Sequence, residues 1–161
     1  MTQGIAELNQ IADKVQRLVK SSVDRWRDLP DLVLTFRPSD EDWSIKEIIG
    51  HLIDSASNNH QRFVRLQLTD MLTFPDYQQD NDNWVRIQRY QETSWDELLG
   101  LWRHFNDHLS QIIRSVDPSH LTHVWVVDRE KSVTLFDMMS GYLHHLEVHL
   151  DQIADNLDAA K

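Results

Sequence analysis

The chain has 161 residues, contains no cysteine and carries a formal net charge of −10 with histidine neutral. That length suits one domain with a real core, so a single domain over residues 1–161 is expected. The missing cysteine excludes disulfides, a cysteine nucleophile and thiolate metal ligands, and the acidic balance argues against a nucleic-acid partner. No apolar run approaches the roughly 20 residues of a membrane span, and no positive-then-apolar leader is visible. The expectation is a soluble cytoplasmic protein with no membrane partner. Four glycines and four prolines are too few for a loop-rich all-β fold, while six tryptophans offer both core and pocket lining.

In chain order, Ile5, Leu8, Ala12, Val15, Val19 and Trp26 recur at helical spacing and predict a first helix closed by Pro30. A second helix opens at Trp43 with a capping box, Ser44 and Glu47, and runs to about Gln67 or Leu68. Its stripe is Ile45, Ile48, Ile49, Leu52, Ile53, Ala56 and Phe63. Thr69 to Thr93 is a long polar link, with a short helix predicted from Asp82 to Tyr90. Phe74, Tyr77, Trp84 and Tyr90 give it aromatics to bury, which argues against disorder. A third helix starts with a second predicted capping box, Ser94 and Glu97, and ends before Pro118. The apolar, β-branched runs on either side of Asp128 to Lys131 predict a short hairpin. A fourth helix runs from near Thr134 to about Leu157. The fold class is all-α: a four-helix bundle with a long crossover between helices 2 and 3 and a short β-hairpin before helix 4.

Three histidines fall within six residues in the fourth helix. A residue turns about 100° from its neighbour, so His149 lies about 60° and His145 about 100° from the centre of the apolar stripe, on the same side. Two histidines at i and i+4 on one face can share a metal ion. His144 points toward solvent. His104 and His108 repeat the spacing on the outward face of the third helix, so spacing alone decides nothing. A third ligand is needed. His51, at the margin of the second stripe with Ser55, Asn58 and Arg62 on its own side, is the leading candidate. It reads equally well as a half-buried histidine bonded to backbone. His60 is a weaker alternative, and His120 and His123 read as surface loop residues.

The stretch "WSIKEIIGHLIDS", with Trp43, Ser44, Glu47, His51 and Leu52, resembles the second-helix motif of the DinB-like superfamily. That superfamily includes metal-dependent hydrolases and bacillithiol- and mycothiol-dependent transferases. "YLHHLEVHLDQI", with His145 and His149, is similar to its last-helix motif. "YQQDNDNWVRIQRY", with Tyr77, Asp80, Trp84, Val85 and Tyr90, is similar to the segment many members carry between helices 2 and 3. The resemblance covers most of the chain. It implies a DinB-like bundle in which His51, His145 and His149 bind a divalent metal, and it implies a homodimer.

Three neutral imidazoles leave a divalent ion its full charge and leave coordination positions open. Zinc or nickel is expected first, with iron, manganese or cobalt also compatible. Such a site activates a water, giving a hydrolase, or holds a small-molecule thiol, giving a thiol S-transferase. Without cysteine in the chain, that thiol is a low-molecular-weight co-substrate. The substrate is expected to be a small molecule. Asn58 and Trp84 are candidates for the pocket lining. Glu47 and Asp54 point away from the stripe, so no catalytic acid or base is assigned. The alternative is a non-catalytic, metal- or ligand-binding stress-response protein.

Overall fold

The first apolar period forms α1 (Thr2–Trp26), in a computed structural model that describes residues 2–73, 79–127 and 131–161. Leu8, Ala12, Val15, Val19, Val23 and Trp26 make its buried row. Ile5 is 46% exposed, a turn beyond the end of that row, and does not belong to it. Pro30 follows α1 as expected and is also the N-cap of a single-turn helix, α2 (Asp31–Leu34), which the sequence did not reveal.

The second long helix, α3 (Ile45–Arg65), begins with the predicted capping box: Ser44 Oγ accepts from Glu47 N–H, and the Glu47 carboxylate accepts from Ser44 N–H. In the crossover, α4 (Asn81–Gln88) is capped by Asp80 and followed by a 3-10 turn at Tyr90–Glu92. Then come α5 (Trp95–Ser115) and α6 (Leu135–Ala159). The second capping box does not form, since the Ser94 side chain makes no cap hydrogen bond. A tertiary anchor holds this helix start instead. The buried indole N–H of Trp95 donates to the Trp26 carbonyl at 2.9 Å.

The long helices form a four-helix bundle in which α1 packs against α5 and α6, and α3 packs against the same two. Helices α1 and α3 are therefore diagonal, as are α5 and α6. Trp102, Leu109, Ile48, Leu52, Met139 and Ile153 lie in the shared core. The predicted hairpin is present as β2 (Val124–Val126) antiparallel to β3 (Ser132–Thr134); Asp128, Arg129 and Glu130 of its connection lie outside the described residues. A strand not read from sequence, β1 (Met71–Thr73), adds in parallel to β2. His120 and His123, read as surface residues, are half-buried here, and His123 Nδ1 lies 2.5 Å from the Leu66 carbonyl.

The crossover corrects the reading of α3. Residues 45–54 are all buried, so the helix is covered on its outer face as well as its core face. Glu47 takes the Arg37 guanidinium in an ion pair, and Lys46 bridges Asp31 and the Gln91 carbonyl. Asp54 accepts from the Tyr90 hydroxyl and from Gln88 Nε2, both at 2.8 Å. Glu47 and Asp54 do point away from the core stripe, but onto the crossover rather than into water. Of the crossover aromatics, Tyr90 is buried and Trp84 is 36% exposed. Phe74 and Tyr77 lie outside the described residues.

Candidate metal centre

Because α3 and α6 are neighbours in the bundle, residues far apart in sequence meet between them. His51 Nε2 lies 3.2 Å from His145 Nε2, and His145 Nε2 lies 3.2 Å from His149 Nε2. All three ligand atoms fall within 4.8 Å of one another, the one such group of His, Asp and Glu among the described residues. His51 is buried, and His145 and His149 are half-buried. His144 is exposed, as are His104 and His108 on α5. His60 is half-buried elsewhere, against Phe105 and His108.

The outer nitrogens fix which way two rings face. His149 Nδ1–H donates to Gln152 Oε1 at 2.9 Å, and His145 Nδ1 faces Ser55 Oγ at 3.4 Å. Ser55 Oγ also accepts from Asn59 Nδ2 at 3.4 Å. With both rings protonated on Nδ1, the tautomer that metal ligation through Nε2 requires, His145 and His149 direct unprotonated Nε2 lone pairs at each other across 3.2 Å. Two lone pairs at that separation are not a hydrogen bond, and a cation between them would satisfy both. A tetrahedral ion with nitrogens at about 2.0–2.1 Å sets neighbouring ligand atoms about 3.3 Å apart, so the spacing fits a metal. His51 Nδ1 is buried with no hydrogen-bond partner among the described residues.

Trp43, not assigned to the site from sequence, closes one side. Its ring centroid lies 4.9 Å from that of His51 and 6.4 Å from that of His149. Its indole N–H donates to Asp82 on α4 at 3.0 Å, and its carbonyl accepts from Asn156 on α6 at 2.8 Å. The sequence signals for the supporting residues are short spacings: Ser55 follows His51 by four, and Gln152 follows His149 by three.

A cavity of about 350 Å³ opens beside His51 and His145. Asn58 lines it and donates to Gln79 Oε1. Trp84 is not among its described lining residues.

Burial lowers all three histidine pKa values, with the neighbouring imidazoles adding to the effect for two of them. His51 falls to about 3 and His145 to about 4, and His149 is also lowered, by burial. All three are thus neutral bases at neutral pH. The unfolded chain, with histidines near 6.5, binds more protons than the metal-free folded chain below that pH. Stability is therefore independent of these groups above about 6.5 and falls as pH drops toward the folded values. Urea unfolding of metal-free protein from pH 6.5 to about 5, above the ordinary Asp and Glu values of about 3.9 and 4.3, should show this slope. His51→Gln should flatten it, by on the order of 2 kcal/mol at pH 5. An unchanged slope would refute the buried neutral state of His51.

Residues 7–153 match the family model of the DinB superfamily. The chain belongs to the DinB superfamily. Among solved structures, this DinB-superfamily chain is similar to YfiT from Bacillus subtilis, described as a probable metal-dependent hydrolase with an unusual four-helix bundle topology. The TM-score is 0.70 at 16% identity, covering 96% of this chain and 84% of that one. At that identity the likeness speaks for the fold. A comparison with curated proteins finds no match.

Proposed function

We propose that this protein is a metal-dependent hydrolase of a small-molecule substrate, with a divalent ion, zinc or nickel, held by His51, His145 and His149. The observation that carries the reading is the convergence of three imidazole nitrogens beside a cavity that two of the histidines, His51 and His145, line. Three protein ligands leave coordination positions for water and substrate. Family membership and the likeness to YfiT support the same reading. The reading takes the protein as a cytoplasmic homodimer without a nucleic-acid partner.

A bound divalent ion supplies a lowered pKa to a coordinated water or thiol and polarises a substrate carbonyl. The chain's own residues set the rest. Ser55 and Gln152 orient two of the rings through their Nδ1 atoms. Trp43 covers the His51 and His149 rings on one side and keeps water from them. Asn58 offers a neutral amide to substrate in the cavity.

A second reading, thiol S-transfer, is favoured by one observation. Asp137 is the one carboxylate among the described cavity-lining residues, and it is exposed and engaged by the Thr134 hydroxyl at 2.7 Å. A metal-held thiolate needs no general base to attack, whereas water is helped by one. The two are separated by assaying metal-loaded protein against model esters and, in parallel, against an electrophile with added cellular thiols. Ester hydrolysis that disappears on chelation is the expected result. Turnover only when thiol is added overturns hydrolysis in favour of transfer. Inactivity in both arms favours a non-catalytic metal- or ligand-binding role.

A further inference from the structure

A second pair of histidines meets across two helices, and neither member lines the cavity. His60 lies on α3 and His108 on α5, with ring centroids 5.4 Å apart. Two imidazoles that share a tetrahedral ion through nitrogens at about 2.0–2.1 Å hold their centroids about 5 Å apart. The rings of His51, His145 and His149 stand at similar separations, 4.5–5.1 Å. The His60 ring is half-buried and packs against Phe105 at 5.9 Å, while His108 is exposed. No ring nitrogen of either histidine makes a hydrogen bond or ion pair among the described residues, and none is sealed from water. Burial first, and His108 next, hold the His60 pKa below the ordinary histidine value. At neutral pH this imidazole therefore offers a lone pair rather than a positive charge.

His104 is the rival partner for His108. It stands four residues earlier on α5, the spacing at which one helix face can share an ion. Both rings of that pair are exposed, so binding would have to order two mobile side chains at once. The His60 ring is already packed in place beside His108.

We propose that His60 and His108 form a second, exchangeable site for a divalent transition-metal ion, which clips α3 to α5. Imidazole ligands suit zinc, copper and nickel, and the chain's net charge of −10 favours the approach of a cation. Water completes the coordination shell. Two imidazoles hold the ion less firmly than three, so it leaves on dialysis. The site does not depend on the centre between α3 and α6.

The test starts from the full chain after zinc loading and dialysis. Zinc is then titrated back and followed by calorimetry and by the histidine ring resonances. One further zinc per chain is expected, with shifts at the His60 and His108 rings of the wild-type protein, a readout that needs no variant to fold. His60→Gln and His108→Gln should each weaken this event roughly tenfold or more, because losing a ligand costs at least what losing an outer-shell partner does. His104→Gln should leave it unchanged. Excess zinc should raise the melting temperature of the dialysed wild-type protein and not that of His60→Gln, since the ion binds only the folded pairing of the two helices. No further zinc, or further zinc without shifts at His60 and His108, overturns the proposal. Weakening by His104→Gln but not by His60→Gln places the ion on α5 alone and overturns it too. Protein that keeps no zinc through dialysis, yet shows the His60 and His108 shifts on titration, would sink the centre at His51 and leave this site standing.

Discussion

Replacing His51, His145 or His149 by alanine is expected to take bound metal from one ion per chain to none, while His104→Ala and His144→Ala keep it. Each of the three removes a nitrogen from a set in which the contacts run through Nε2 atoms 3.2 Å apart. Two remaining imidazoles would have to hold the ion alone, against water and buffer. His104 is half of an i,i+4 pair as well spaced as His145 and His149, but it is exposed and outside the cluster. His144 adjoins a proposed ligand and faces solvent. The comparison therefore separates position in the fold from histidine content. Elemental analysis of purified, dialysed variants, with circular dichroism to check folding, makes the measurement. Stoichiometric metal retained in any of the first three removes that residue from the ligand set.

Gly50→Ala should destabilise the protein severely. A β-carbon at Gly50 would lie 2.0 Å from a ring carbon of Tyr90, far inside van der Waals contact. The ring cannot easily retreat, because Tyr90 is buried and its hydroxyl donates to Asp54 at 2.8 Å. Expelling it would leave the buried Asp54 with one partner fewer, and burial already raises the pKa of that carboxyl. Overpacking of this kind costs about 3 kcal/mol, and each kcal/mol shifts the melting temperature by roughly 2–4 °C at this chain length. A fall of roughly 10 °C is expected, measured by thermal unfolding of the metal-free protein. Gly141→Ala is the control, since nothing lies within 4 Å of a β-carbon there. A Gly50→Ala melt equal to that control would show that the crossover does not press on α3.

The bundle was legible because its helices carry long apolar periods and one strong cap, at Ser44. The crossover was less so. Its helix could be read, but not that Tyr90 and Gln88 would reach Asp54, because periodicity reports one buried face and α3 buries two. Glu47 and Asp54 looked like outward carboxylates for that reason. Likewise β1 is three residues long and exposed at both ends. Its pairing with β2 is set by tertiary position, which leaves no local signal. For the site, facial geometry placed His145 and His149 on one flank of the fourth helix and His51 at the margin of the second stripe. It could not bring the three together, since that depends on α3 and α6 being neighbours. Trp43 read only as the opening of the second helix, and its packing on the histidine rings follows only from the bundle's arrangement.

The diagonal placement of successive helices bears on how the chain folds. His51 and His145 are 94 residues apart, and α6 follows the other three long helices. A nascent chain therefore holds one nitrogen of the proposed set until α6 docks. Contacts of such separation carry a large loop-closure cost and form late. Metal uptake then reports completion of the native topology rather than any partial bundle. Because the unfolded chain lacks the assembled site, each increment of free metal above the dissociation constant shifts the equilibrium toward that completed state.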